Sequence, residues 1–330
     1  MLPYSMLDLA TIAPSQTIRE ALEATVVTAQ TAERSGYKRV WYAEHHNMKS
    51  IASSATSVLI AHVAAHTQTI RLGSGGVMLP NHSPLTIAEH YGTLGELHPD
   101  RIDLGVGRAP GGDQNTLYAL RRSRTEQDNF PQDVRELRAY LRGQTIVPNV
   151  EAIPGSGTNV PIFVLGSSLY GAELAATLGL PYAFASHFAP NALHDALRVY
   201  RDKFEPSHDL AQPYAMVAFN VIAAPTTERA QELHRETLRQ RLKFMIRDGA
   251  ALRLSDEDLD RLLDGPHGNQ VRNMMKCTAV GTPEQTQEWA AQFAELTQAD
   301  EIIVTHPGGE LEDRLWSVEH FGAALQAAAN

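Results

Sequence analysis

Lys38-Arg39-Val40-Trp41-Tyr42-Ala43, the stretch from Thr56 to Thr67, and Ile70-Arg71-Leu72-Gly73-Ser74-Gly75-Gly76-Val77-Met78-Leu79 together spell one β–α–β unit. The outer two runs are short and carry β-branched and aromatic residues, while the segment between them spaces its apolar residues as a helix does. Strands joined through a helix run parallel, and the crossover is right-handed.

The same alternation extends in both directions. Toward the N-terminus, Leu2 to Leu9 reads as a strand, and Thr17-Ile18-Arg19-Glu20 has the form of a capping box. Ile18, Ala21, Leu22, Thr25, Val26 and Ala29 follow at helical spacing, with Gly36 where a helix should end. Toward the C-terminus come a helix over Leu85 to Leu97, a strand over Ile102 to Val106, a helix over Asp133 to Leu141 and a strand over Pro161 to Leu165. A helix over Leu169 to Leu178, closed by Gly179, leads to a strand over Tyr182 to Ser186. The helix Ala192 to Phe204 leads to the strand Tyr214 to Ala223, and a long charged helix starts near Thr227. The helix Pro283 to Leu296, the strand Glu301 to Val304 and the helix Trp316 to Ala328 complete the order.

Eight strands, each followed by a helix, favour a closed (β/α)8 TIM barrel over a doubly wound open sheet, which usually stops near about six. Three stretches exceed the minimal unit and read as insertions: Pro110 to Phe130, Gly143 to Val160 and Arg247 to Thr278. The first carries Gly111-Gly112 just past a strand end, where a barrel enzyme keeps a lid or substrate loop. No internal repeat beyond the βα unit and no low-complexity linker interrupts the chain, so residues 1–330 read as a single domain.

Composition narrows the function classes. The 330 residues are 43% hydrophobic, enough for a sizeable core, yet no apolar run approaches the ~20 residues that span a bilayer. Met1 to Ala10 lacks the basic start and long apolar stretch of a signal peptide. A net charge of -10 argues against general affinity for nucleic acid or anionic membranes. The basic cluster Arg121, Arg122 and Arg124 reads as a solvated loop or helix end, or as a clamp for an anionic ligand. The single cysteine, Cys277, excludes an intrachain disulfide and a thiolate-rich metal site, and suits a reducing, cytoplasmic setting.

In a barrel the chemistry gathers at the C-terminal ends of the strands. Here that rim carries Ala43-Glu44-His45-His46-Asn47, then Gly105-Val106-Gly107-Arg108, then Gly166-Ser167-Ser168, then Ser186-His187-Phe188. Gly166, Ser167 and Ser168 precede a helix, whose free N–H groups can hold a phosphate, and Arg108 on a neighbouring strand end could join them. Equally, Ser167 or Ser168 could be a plain N-cap. Gly75 and Gly76 mark either a bulge or the close approach of a flat ring to bare backbone. His45 is suited to donate or accept a proton, with a structural histidine as the competing reading. A metal site is not expected: His45 and His46 point to opposite faces, and His62 and His66 lack partners in sequence.

Together these runs resemble bacterial luciferase and its flavin-dependent relatives. Arg39-Val40-Trp41-Tyr42-Ala43-Glu44-His45-His46 is similar to the family's second strand, and Ile70 to Pro80 with the His82-Ser83-Pro84 turn to its third. Arg101 to Arg108, Gly166-Ser167-Ser168, Gly179-Leu180-Pro181 and Gly281-Thr282-Pro283-Glu284 continue the match over nearly the whole chain. The resemblance implies a barrel that binds reduced FMN and uses O2 to oxygenate a small organic substrate, fed by a separate flavin reductase or an NAD(P)H route and working as a homodimer. It implies a non-proline cis peptide at Gly75-Gly76, a catalytic role for His45, and contacts from Arg108, Ser167 and Ser168 to the FMN phosphate. Glu44 could orient His45, or serve as a structural partner of a backbone amide or arginine. Light-emitting luciferase has a reactive cysteine where this chain has Gly107, and an acidic residue where it has Ser167, which argues against light emission. On the same fold stand two other readings, a deazaflavin-dependent hydride-transfer reductase and a flavin-binding protein without turnover; a metal-dependent barrel hydrolase is a further alternative.

Overall fold

The computed structural model describes residues 2–13, 15–108, 114–121, 129–144, 146–246 and 254–327. β1 (Tyr4–Asp8), α1 (Ile18–Arg34), β2 (Arg39–Tyr42), α2 (Thr56–Ala64), β3 (Arg71–Met78) and α3 (Pro84–Leu97) alternate as the sequence predicts. β4 (Ile102–Gly107) is followed by two helices, α4 (Gln114–Ala119) and α5 (Phe130–Leu141). Then come β5 (Ile162–Gly166), α6 (Leu169–Leu178), β6 (Tyr182–Phe184), α7 (Leu193–Asp202) and β7 (Ala215–Ala223). Three helices, α8 (Thr227–Ile246), α9 (Asp256–Leu263) and α10 (Pro266–Met274), precede β8 (Thr278–Gly281). α11 (Pro283–Thr297), β9 (Glu301–Thr305) and α12 (Leu311–Ala327) end the described chain.

Parallel pairing runs from β1 through β7, on to β9 and back to β1, which closes an eight-stranded barrel. The fold is thus a (β/α)8 barrel. β8 stands outside the ring and pairs only with the outer end of β7, from Asn220↔Thr278 to Ala223↔Gly281. The sequence predicts no strand here: only Thr278 falls in the Arg247 to Thr278 insertion, and the rest of β8 precedes the helix at Pro283. The rest of that insertion is ordered too: α9 starts with a capping box at Ser255 and Asp258, and Leu242, Leu259, Leu263, Val271 and Met275 form a small core of their own. The proposed lid, Pro110 to Phe130, lies largely outside the described residues, as do Gly111, Gly112, Arg122 and Arg124.

Side-chain alternation splits the core into two layers. Leu7, Trp41, Ala43, Phe163, Ala183, Met216, Ala218 and Ile303 fill the barrel interior, where Trp41 and Phe163 meet edge to face at 5.0 Å. Val40, Leu72, Leu104, Val164, Val217 and Val304 point outward beneath the helices. α1 shows how a helix docks on them. Thr17 and Glu20 make the expected capping box, but the buried stripe is Ala21, Ala24, Thr25, Thr28, Ala29 and Ala32, while Ile18 is 63% exposed. Small side chains let the helix backbone approach the sheet closely.

The N-terminal end of the barrel is closed by charge. Arg39 donates to Asp103 at 2.6 Å and to Glu301 at 3.2 Å, with all three side chains buried. Lys38 and Tyr214 reach Glu301 at 2.9 and 2.6 Å, and Arg71 reaches Asp103 at 3.0 Å. The sequence reading treated these residues only as strand positions; the overlooked signal was a charged residue inside each of three otherwise apolar strands.

Candidate active site at the barrel mouth

Glu44, the second residue beyond β2, is 2% exposed and is held by three donors. His46 Nε2 lies 2.7 Å and His82 Nε2 2.8 Å from Oε1, and the Met78 N–H donates to Oε2 at 3.0 Å. Burial works against its charge, but His82, His46 and the Met78 amide outweigh that and hold the carboxyl below its ordinary value. Glu44 therefore ties the end of β2 to the end of β3. It makes no hydrogen bond to His45, because its oxygens are engaged elsewhere; it acts on that ring through charge alone.

His45 and His46 point apart, as adjacent residues do. The His45 backbone N–H donates to Ser53 O at 2.9 Å, and its Nδ1 is buried with no side-chain partner. Burial lowers its pKa, a hydrogen bond to the Ala43 backbone carbonyl and the Glu44 charge oppose that, and His46 and Arg241 reinforce it. The imidazole is therefore neutral at pH 7, a proton acceptor in a largely dry place.

Across the mouth, beyond β6, stands His187, which the sequence reading quoted as a rim residue without assigning it a role. It is 6% exposed, its Nδ1 lacks a partner, and burial, then Arg241 and His45, push its pKa down to about 3. Asn220 fixes its backbone. The amide donates to His187 O at 2.8 Å, and Thr305 Oγ1 donates to Asn220 Oδ1 at 2.8 Å. A lone asparagine in the apolar run Ala215–Ala223 was the available signal.

Gly75-Gly76 is a cis peptide, and the β3–β4 register shifts between Ser74 and Val77, so a bulge lies there. A Cβ on Gly75 would lie 2.5 Å from Leu7 Cδ1, and one on Gly76 2.7 Å from Gly105 O. The Gly105 backbone thus accounts for the missing side chain at Gly76, whereas Gly75 faces the movable tip of Leu7 and the Trp41 Cβ at 3.0 Å. Among the described residues, a Cβ at Gly107 would meet nothing nearer than Leu165 O at 4.0 Å.

Arg108 and Gly166-Ser167-Ser168 come together at the start of α6. The Arg108 guanidinium lies 4.2 Å from the centre of the Tyr170 ring in the first turn of that helix. Ser168 occupies the N-cap position in extended conformation, yet its side chain makes no capping hydrogen bond. The capping role open to it in sequence is therefore not the one its hydroxyl performs. Both serines are exposed. Among the described residues no three His, Cys, Asp or Glu side chains gather as metal ligands, and no helix is long and apolar enough to cross a membrane.

The family model for the luciferase-like monooxygenases matches residues 3–299. A "Luciferase-like monooxygenase" of Escherichia coli (strain K12) is 46% identical, over 96% of this chain and 95% of its own. The "N-acetyl-S-alkylcysteine monooxygenase" of Bacillus subtilis (strain 168) is 32% identical over 99% of each chain. The crystal structure of apo-MsnO8 superposes with a TM-score of 0.89 at 32% identity, covering 99% of both chains. This chain belongs to the luciferase-like monooxygenase family, and it is an oxidoreductase.

Proposed function

We propose that the chain is a non-luminescent monooxygenase that uses reduced FMN and O2 to oxygenate a small organic substrate at the C-terminal mouth of the barrel. The observation that carries this reading is the α6 entrance, where Arg108 rests on Tyr170 beside a serine N-cap whose hydroxyl makes no cap bond. A helix start with available N–H groups and an adjacent guanidinium suits a phosphate. The room that the described residues leave at Gly107, beside Arg108 at the end of β4, suits a flat ring. FMN has both parts.

Arg108, Ser167, Ser168 and the amide of Gly166 would hold the phosphate, with Gly75 and Gly76 at the edge of the ring site. Bound reduced FMN supplies the electrons that activate O2. The chain itself excludes water and positions groups. His45, neutral and buried, accepts or returns a proton through its imidazole as oxygen passes to substrate. Glu44 is a positioning residue, fixing the loop that carries His45 by bonding to His82 and Met78. The same reading includes a separate reductase that delivers reduced FMN, a single working domain, a homodimer and a cytoplasmic setting.

Anaerobic titration of the purified protein with oxidised and reduced FMN, followed by admission of O2 while absorbance is recorded, tests this reading. Preference for reduced FMN with O2 consumption coupled to an added substrate supports it. Binding of a reduced deazaflavin with no binding of FMN overturns it in favour of hydride transfer, and tight FMN binding that no substrate couples to O2 leaves a flavin carrier.

A further inference from the structure

Away from the α6 entrance, the mouth holds three nitrogen-bearing side chains that, among the described residues, have no side-chain partner. His45 follows β2 and His187 follows β6, strands that stand opposite each other in the eight-membered ring. The His187 Nδ1 is buried without a partner, and the His45 ring has the backbone carbonyl of Ala43 beside it but no side-chain partner. α8 approaches from a third side. A Cβ on Gly308, just past β9, would strike Thr237 Oγ1, so this helix leans on the β9 end of the mouth. Arg241 lies one turn beyond Thr237 on the same helix face, near enough that its charge bears on both histidines.

Arg241 is half-buried and, among the described residues, makes no hydrogen bond and no ion pair. Its own helix supplies the contrast. Arg239, two residues earlier, pairs with Asp260 at 2.6 Å and Asp256 at 2.9 Å, as a structural arginine should. Leu238, Leu242 and Met245 carry the packing against α9 and α10. Glu44 cannot serve as the missing counter-charge, since His46, His82 and Met78 occupy it. A guanidinium withdrawn from water without a partner is costly unless a ligand completes it.

We infer that Arg241 binds the carboxylate of the organic substrate between His45 and His187, so that the enzyme acts on an organic acid. A guanidinium fork matches a planar carboxylate with two parallel hydrogen bonds. The phosphate of FMN has its own cradle at Arg108 and α6, on a different part of the rim. Reduced isoalloxazine is the other planar anion that could face Arg241, and the experiment separates the two. The inference deepens the monooxygenase reading and rests on it for the word substrate; the binding itself is tested without turnover.

The full-length protein is titrated with benzoate and octanoate and with their neutral amides, first without flavin and then with reduced FMN under anaerobic conditions. Binding is read by calorimetry and by the C2–H proton signals of His45 and His187, identified through His45→Gln and His187→Gln. The acids bind, the amides do not, and both histidine signals move. Arg241→Ala weakens the acids by about 30-fold or more, Arg241→Lys restores part of that, and reduced FMN binds all variants alike. Thermal unfolding of Arg241→Ala and the shape-preserving Arg241→Gln confirms that both are folded. The inference is overturned if no acid binds, if the acids bind Arg241→Ala as well as the parent, or if that variant loses reduced FMN instead. Failure of the flavin reading is a separate result, in which the parent protein binds the acids but not FMN.

Discussion

The two ends of the barrel treat buried polar groups in opposite ways. At the N-terminal end Arg39, Asp103 and Glu301 are buried about as deeply as Glu44 and Asn220 at the mouth, and each has an oppositely charged partner. At the C-terminal end, among the described residues, the buried His187 Nδ1 has no partner and the half-buried Arg241 has no counter-charge. Breaking a buried pair leaves a bare charge, so the first arrangement is one of structure. Unmatched groups in a folded protein mark the place where a further molecule completes the set. Depth of burial does not separate the two ends; pairing does.

Substitutions can break or sharpen that contrast. Asp103→Ala strips the shared partner from Arg39 and Arg71 and should cost about 3–5 kcal/mol of unfolding free energy in urea. A loss near zero would mean the N-terminal network is not structural. His45→Ala at the mouth should leave the urea midpoint almost unchanged while lowering substrate-coupled O2 uptake about 100-fold or more with FMN still bound. Full turnover in that variant would remove His45 from the chemistry.

His187 offers a pH test. Its folded pKa, about 3, lies below the ordinary 6.5, so the unfolded chain binds a proton that the folded chain refuses. Its contribution is therefore intact above about pH 6.5 and is lost progressively as the pH falls toward the folded value, by about 1–3 kcal/mol at pH 4. His187→Gln should flatten this slope in urea melts run across the acid range; an unchanged slope would place the proton uptake elsewhere. Arg108→Ala should weaken FMN by about 10- to 100-fold, read by fluorescence quenching, with little change in Tm. The smallest effect on stability belongs to Ser168→Ala. With no cap bond to lose, unfolding should shift by no more than about 0.5 kcal/mol while FMN affinity falls. A larger destabilisation would return Ser168 to an ordinary capping role.

The eight ring strands were legible because each sits in a regular alternation with a helix, even where a strand is as short as β6. β8 breaks that alternation, since three helices precede it and it pairs only with the outer end of β7. The capping box at Ser255 and Asp258 could have revealed α9 inside the stretch taken as irregular. At the site, order along the chain identified which residues reach the rim but not which of them meet. Glu44 and His82 are 38 positions apart, and only the fold brings them together. Arg241 was hidden for a different reason: α8 also carries Arg229, Arg235 and Arg239, and one arginine among four on a charged helix reads as a solvated face.

The open position at Gly107 has a practical side. Its neighbours in the β3–β4 seam are locked, with a Cβ at Gly105 only 2.1 Å from Ser74 O, yet two residues on an added Cβ meets none of the described residues closer than 4.0 Å. The chain's single cysteine, Cys277, is buried, and burial pushes its thiol up to about 11. Gly107→Cys would therefore put one readily alkylated thiol at the lip of the barrel, a port where a fluorophore or spin label could report what enters and leaves.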